Sequence, residues 1–452
     1  MKPFNWIVLS ALLLAEAGTA GCKLDRPAHD ELPAPSAPAA TSAAQEAASA
    51  PDLRGFSTEG LARLSAILRA RVEAGRMPGG VLLIARDGQV VLEEAFGVQD
   101  PKRGAPTPMP KDAIFRIYSM TKPIVSAGVM MLVEEGKVQL GDRASKYFPE
   151  FERLEVGVEK AGPGGKPVLE LVPAEREITV QDLLRHTSGF TYGIFGKSLV
   201  KDQYLKNKVD GGELTSDEQI KRLASVPLQY QPGTTWEYSR STDVLGVLIE
   251  RVSGKTLDAF LQERIFGPLQ MKDSGFWVEA AKQSRIAEAF AVDPDTKQPV
   301  VVTDIRQKPS FLSGGGGMVS TARDYLRFSQ ALLDGGVLDG ARILSPHTVR
   351  YMTADHLGSM RGPGPGYGFG LGFAVRIAQG EAPTAGSIGE FQWGGWAGTA
   401  FWVDPQERLI AIWMMQAPGA RNEMRTLLRT LVYGALVREG ASDTRGLDTV
   451  RL

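Results

Sequence analysis

Phe115-Arg116-Ile117-Tyr118-Ser119-Met120-Thr121-Lys122-Pro123 is the stretch whose reading decides the fold of this chain. Ser119 and Lys122 are three residues apart, and on a helix that spacing puts both side chains on one face, within reach of each other. A serine hydroxyl is a poor nucleophile until a base takes its proton. A lysine serves as that base when its own pKa is depressed by burial or by its neighbours. Downstream, Ile124, Val125, Val129, Met130, Met131, Leu132 and Val133 make the predicted helix apolar on nearly every side, as in a helix at the centre of a large domain. Pro123 falls in the first turns, where a missing N–H costs little, and Gly136 is a suitable stop.

Ser-x-x-Lys alone is a weak motif, and about one match is expected by chance in a chain of this composition. A second one, Ser198-Leu199-Val200-Lys201, follows Gly193 and Gly196 and opens a polar, Lys-rich stretch, so Lys201 reads as a solvated surface lysine. For Lys122 the apolar helix around it demands a reason, and a catalytic pair supplies one.

With 452 residues the chain exceeds one ordinary core and calls for a large domain or two interlocked lobes. A net charge of −1 without a dense basic run gives no sign of nucleic acid as a partner. Cysteine occurs once, at Cys22, which rules out an intramolecular disulfide. His29, His186, His347 and His356 are too scattered for a zinc site, and neither a phosphate loop nor Gly-x-Ser-x-Gly is present. No metal and no cofactor are therefore expected.

Residues 1–22 read as an export signal: Lys2 gives a basic start, and Trp6 to Ala15 is apolar but short for a membrane span. Thr19-Ala20-Gly21-Cys22 then resembles a bacterial lipobox, with Cys22 as the lipid attachment site. The other reading is ordinary cleavage after Ala20. Both place the protein in the cell envelope, the first with a lipid anchor in the membrane. Residues 23–52, rich in Ala, Pro and Ser, read as a flexible tether, and 53–452 as the folded domain.

Within that domain Leu61, Leu64, Ile67, Leu68 and Val72 predict a helix, and the runs 79–85 and 90–95 around Arg86-Asp87-Gly88 predict a hairpin. Residues 155–172 read as a polar surface excursion. Together with Lys201–Glu213 it is expected to rim the pocket. Thr179 is a fair N-cap for a helix running into Arg185-His186-Thr187-Ser188-Gly189. His186 near that helix end reads more readily as a partner for backbone carbonyls than as a catalyst. Helical patterns at 216–225, 244–252 and 257–265 mark an α-rich lobe, roughly 142–300. Tyr238, in Gln231-Pro232-Gly233-Thr234-Thr235-Trp236-Glu237-Tyr238-Ser239-Arg240, is open to a packing or a chemical role. The Gly314–Gly317 run suits a close backbone approach, with Ser320 or Thr321 capping a helix over 325–333. Strands are predicted at 367–375, 391–403 and 409–416, then a helix at 425–438. Strands at both ends with helices between them fit one α/β (α+β) domain: an antiparallel sheet flanked by helices, with an inserted all-α lobe.

Taken together, Ser119-Met120-Thr121-Lys122, Leu183-Leu184-Arg185-His186-Thr187-Ser188-Gly189, Pro232-Gly233 with Tyr238-Ser239, Gly314–Gly317 with Met318, and Trp393-Gly394-Gly395 resemble the serine β-lactamase and penicillin-binding protein superfamily. The resemblance spans about 55–440 and is to the class C β-lactamase branch. That branch carries Tyr-x-Asn where Arg240 stands here, and Lys-Thr-Gly where Trp393-Gly394-Gly395 stands. The latter is similar to family VIII carboxylesterases. The resemblance implies Ser119 as nucleophile, Lys122 as its partner base and Tyr238 as second base. It also implies an oxyanion hole from the backbone N–H groups of Ser119 and Trp396. Trp393, Gly394 and Gly395 would bind substrate beside an apolar wall that includes Phe391, and Arg240 could offer a positive charge. The function implied is hydrolysis of small carboxylic esters. The alternatives are a β-lactamase or D-amino-acid peptidase acting on cell-wall peptides, and a catalytically silent binding module on the same fold.

Overall fold

A computed structural model describes residues 53–437 apart from 103, 106 and 210–213. The expected export signal, Cys22 and the expected tether lie outside the described residues. Seven strands form one antiparallel sheet: β1 (Gly79–Arg86), β2 (Gln89–Gly97), β3 (Tyr367–Phe369), β4 (Ala374–Arg376), β5 (Phe391–Gly394), β6 (Ala400–Asp404) and β7 (Leu409–Met415). They lie in the order β2-β1-β7-β6-β5-β4-β3, so strands from both ends of the chain meet where β1 pairs with β7. Asp87 and Gly88 close the first hairpin with φ of 51° and 74°, the two positive values that a type I′ turn requires.

β1 and β7 are buried along their whole length, which explains why they read as continuous apolar runs rather than as an alternation. Leu82, Ile84, Ala411 and Trp413 point to one face, where α1 (Thr58–Glu73) and the C-terminal helix cover them with Leu64, Leu68, Met424, Leu428 and Val432. Val81, Leu83, Ile410 and Ile412 point to the other face and join the main core. That core surrounds α2 (Thr121–Glu134), whose residues from Thr121 to Leu132 are all buried. Packed against α2 is α3 (Ser241–Ser253), and α4 (Ala322–Leu333) lies against the sheet. The C-terminal helix, α5, runs over Arg421–Ala435.

Three expectations need correction. The excursion at 155–172 is an antiparallel hairpin, Glu155–Ala161 with Pro167–Pro173, turned by Pro163-Gly164-Gly165. Its Val and Leu residues supply the β propensity that its Gly and Pro content masked. The single strand at 367–375 is two, because Gly372 (φ 101°) folds the chain back so that Ala374 pairs with Phe369. The strand at 391–403 is likewise two, broken by a turn in which the Gly398 N–H donates to the Gly395 carbonyl at 3.1 Å. Thr179 does cap its helix, in a capping box with Asp182, and Thr321 caps α4.

Candidate active site

Ser119 sits in a 3₁₀ turn, Tyr118–Met120, that feeds directly into α2. Tyr118 before it has φ of 42°, a left-handed conformation that costs a non-glycine residue about 1–2 kcal/mol. Two contacts hold it there: its hydroxyl accepts from the Thr303 N–H at 3.2 Å, and its ring meets Trp396 edge-on at 5.4 Å. That kink presents Ser119 at the mouth of a cleft. Among the residues lining the cleft, of about 390 Å³, are Phe195, Tyr238, Trp393, Gly394, Gly395 and Trp396.

Lys122, 1 % exposed, aims its ammonium at three oxygens. It donates to the Gly315 carbonyl at 2.6 Å, the Tyr192 hydroxyl at 3.1 Å and Ser119 Oγ at 3.3 Å. The Tyr238 hydroxyl lies 2.6 Å from the same Oγ, and Lys122 Nζ stands 4.5 Å from the centre of the Tyr238 ring. Residues 119, 122 and 238 therefore meet around one hydroxyl. The chemistry asked of Lys122 changes, however. A base needs a depressed pKa, and burial does push it down, but Tyr192, Tyr238 and the Asp243 carboxylate outweigh burial and hold it above the usual lysine range. That direction favours the ammonium over the free amine.

Asp243 reaches Lys122 through the glycine run. It is fully buried on α3 and accepts from the Gly315 N–H at 3.0 Å and from Ser313 Oγ at 2.5 Å, while Gly315 offers its carbonyl to the lysine. A Cβ on Gly315 would come within 2.6 Å of Asp243 Oδ2, so the close approach predicted for this run is real. Arg240 does not present its charge to the cleft in the way foreseen: it pairs with Asp243 at 3.2 Å, lies 5.1 Å from the Tyr192 ring centre, and is not among the cleft-lining residues.

Tyr238 is held by aromatic contacts on several sides. His186, Tyr192 and Trp393 have ring centres 5.1, 5.3 and 5.3 Å away, and Phe195 and Trp236 stand slightly farther off. The Trp393 indole N–H also points to the Tyr238 oxygen at 3.4 Å, so this residue supplies a donor as well as an apolar wall. β4 pairs with only Phe391 and Gln392 of β5, which leaves Trp393 and Gly394 on an open edge. His186 is buried, its imidazole pushed well below its ordinary pKa by burial and by the Lys122 charge. Neutral, and 3.0 Å from Ser239 Oγ through Nδ1, it braces the tyrosine loop. Lys201 is not solvated: it pairs with Glu237 at 2.9 Å, next to Tyr238 in the chain. Nor do residues 155–172 or the described part of 201–213 line the cleft; α5 does, through Arg421, Arg425, Thr426 and Arg429.

Tyr192, Asp243 and the α5 arginines were not singled out from the sequence. An acid heading the apolar run 244–252 was the available signal for Asp243, since a buried carboxylate demands partners. Among the described residues no group of His, Cys, Asp and Glu is placed to hold a metal ion.

A strained turn presenting a serine at the head of a buried helix, between a seven-stranded antiparallel sheet and a helical lobe, defines a β-lactamase/transpeptidase-like serine hydrolase fold. The family model "Beta-lactamase" matches residues 64–433, and the chain belongs to that family. It is 36 % identical over 368 residues to Protein Rv1367c of Mycobacterium tuberculosis, covering 78 % of this chain and 88 % of that one. Esterase EstB of Burkholderia gladioli is 31 % identical over 407 residues, covering 82 % of this chain and 95 % of the esterase. Among solved structures, EstCE1, titled a hydrolase with promiscuous acyltransferase activity, superposes with a TM-score of 0.69 at 26 % identity, over 83 % of this chain and 99 % of that one.

Proposed function

We propose that this serine hydrolase cleaves carboxylic esters through an acyl-enzyme on Ser119. The observation that carries the reading is the 2.6 Å contact of the Tyr238 hydroxyl with Ser119 Oγ, beside a buried ammonium. The reactive form is the one in which the Tyr238–Lys122 pair has released one proton to solvent. As Oγ attacks the carbonyl, its proton passes to the Tyr238 oxygen, and the ammonium and the Trp393 N–H steady the charge there. Charge on the carbonyl oxygen develops toward the N–H groups of Ser119 and Trp396, where the N-terminal end of α2 favours an anion. The tyrosine then gives the proton to the departing alkoxide, and the acyl-enzyme stands. In the second half Tyr238 takes a proton from water, the hydroxide attacks the acyl carbon, and Ser119 recovers its proton as the acid leaves. Lys122 thus acts as a fixed positive charge more than as a free amine.

The esterase names among the relatives, EstB and the lovastatin esterase of Penicillium rubens, support esters as the substrate class. Trp393, Trp396 and Phe195 give the cleft an apolar wall suited to a small acyl or aryl group. Export to the cell envelope, with a lipid on Cys22, remains part of the proposal on sequence grounds alone. A panel of short-chain 4-nitrophenyl esters and a chromogenic cephalosporin, run on wild type beside Ser119→Ala, tests the reading. Ester turnover exceeding cephalosporin turnover and lost in the variant is the expected result. The opposite preference would assign the site to β-lactams.

A further inference from the structure

Ser198-Leu199-Val200-Lys201, the second Ser-x-x-Lys of the chain, takes no part in the proposed reaction, yet both of its polar residues are engaged. Ser198 Oγ caps the helix Leu199–Lys206, accepting from the Lys201 N–H at 3.0 Å, and donates to Gln229 Oε1 at 2.6 Å. Val200 and Tyr204 root that helix in the main core. Lys201 pairs with Glu237 Oε1 at 2.9 Å, and Thr191 Oγ1 donates to the same oxygen at 2.6 Å. One partly buried carboxylate therefore ties three segments together. Glu237 precedes Tyr238 and donates its N–H to the His186 carbonyl at 2.9 Å. Thr191 precedes Tyr192, whose hydroxyl accepts from Lys122 at 3.1 Å. The third segment is the helix of Lys201 itself.

Between Tyr192 and Ser198 runs a lip of five residues, Gly193-Ile194-Phe195-Gly196-Lys197. It leaves Ile194 58 % and Phe195 38 % exposed at the cleft that Phe195 lines. Apolar side chains in water at the mouth of a cleft gain free energy when the apolar part of a ligand covers them. The Phe195 ring meets Tyr192 edge-on at 5.4 Å and stands 6.1 Å from the Tyr238 ring. Gly196 turns the lip with φ of 78°, and a Cβ there would lie 3.4 Å from Lys201 Nζ, so the ammonium seats against the lip as well as on Glu237.

In the proposed reaction Tyr238 gives its proton to the departing alkoxide, so the alcohol oxygen of the ester lies at the Tyr238 hydroxyl. Of the rings packed around Tyr238, only Phe195 and Trp393 line the cleft. Trp393 belongs to the strand that leads to the Trp396 N–H, on the side of the carbonyl oxygen, which leaves Phe195 for the alcohol. We infer that an apolar alcohol group of the ester packs on Phe195, and that the Lys201–Glu237 pair is the positioning device that holds this lip beside Tyr238. The inference rests on the esterase reading and names the part of the substrate that the site selects.

Benzyl acetate and ethyl acetate test it on the full-length protein, because they share an acyl group and have alcohols of similar acidity. Acid release is followed by titration. The wild type should favour benzyl acetate by about tenfold or more in kcat/KM, mainly through KM, as expected for covering one ring. Phe195→Ala should remove most of that preference. Lys201→Met, which keeps an apolar stem but drops the charge, and Glu237→Gln should each cut it by about threefold or more with the melting temperature nearly unchanged, whereas Lys201→Arg should keep it. In the double variant Phe195→Ala with Lys201→Met the ratio should match that of Phe195→Ala alone, because the pair acts through the ring. A wild type without the preference, a ratio unchanged in Phe195→Ala or in Lys201→Met, or losses that add in the double variant would overturn the inference and leave the esterase reading standing. No turnover of either acetate would remove that reading and this inference together.

Discussion

Lys122 and Arg429 are both nearly sealed from solvent, at 1 % and 7 % exposure, one donating to Ser119 and the other in the lining of the Ser119 cleft, yet their charges are met in opposite ways. Around Lys122 the direct partners are uncharged oxygens, and the nearest carboxylate, Asp243, is relayed through the Gly315 peptide. Around Arg429 the partner is a carboxylate in direct contact. Glu390 also lies 3.3 Å from Arg376 Nε and accepts from the Tyr367 and Tyr433 hydroxyls at 2.6 and 3.2 Å. The first arrangement leaves an electric field to act on Ser119 and Tyr238. The second spends its field on itself and clamps α5 to the far strands of the sheet. A buried charge does chemistry where its counter-ion is held at a distance, and builds structure where the counter-ion is in contact.

Removing the group on which the first field acts is the severest way to break this contrast. Ser119→Ala should lower kcat by about four to six orders of magnitude, as loss of a nucleophile does, with the melting temperature nearly unchanged. Next comes the proposed proton carrier. Tyr238→Phe should cost about a hundredfold to ten-thousandfold in kcat/KM. Because the reactive pair must first lose a proton, and Lys122 holds its own above the usual range, wild-type activity should climb as pH rises from neutral. That climb should vanish in Tyr238→Phe, measured as kcat/KM against pH.

The Glu390 side should answer in stability rather than in rate. Glu390→Gln leaves two buried guanidiniums without their carboxylate, and denaturant unfolding should register a loss of about 3–5 kcal/mol. A variant that stays folded but loses activity as deeply as Tyr238→Phe would erase the distinction between the two regions.

The smallest effect concerns His186. Its imidazole is neutral when folded, with a pKa well below the ordinary 6.5, so below that pH the unfolded chain takes up a proton that the native one refuses. Stability from this group is present above 6.5 and is lost as pH falls, by up to about 1.4 kcal/mol per pH unit. Melting temperatures from pH 7 down to 5 should fall more steeply for wild type than for His186→Phe.

The Lys122 region was largely legible in the sequence and the Arg429 region was not, for physical reasons. Ser119 and Lys122 declare themselves because three residues on a helix fix their separation, and an apolar helix has no other use for a lysine. Tyr238 was placed by resemblance, since no local rule brings a residue 119 positions away to the same hydroxyl. Of its two readings, packing is met by the rings around it, and chemistry belongs to the proposed function. By contrast, Arg421, Arg425 and Arg429 look like the solvated face of an amphipathic helix. Only the sheet order, which brings β5 beside α5, turns that face toward a cleft. Tyr192 was hidden for the same reason, in a loop with no periodicity to point its hydroxyl at Lys122. The sheet strands were legible as apolar runs. The splits after Phe369 and Gly394 were not, because Gly372 and the Gly395–Gly398 turn act through backbone geometry rather than hydropathy.

The central claim is that one hydroxyl, on Ser119, is activated. The most direct measurement is peptide mass mapping of the full-length protein after reaction with a fluorophosphonate. A single phosphonyl adduct is expected on the peptide bearing Ser119, its formation accelerating from neutral to alkaline pH and slowed severely by Tyr238→Phe. An adduct on another residue, or an active esterase that leaves Ser119 unmodified, would contradict it.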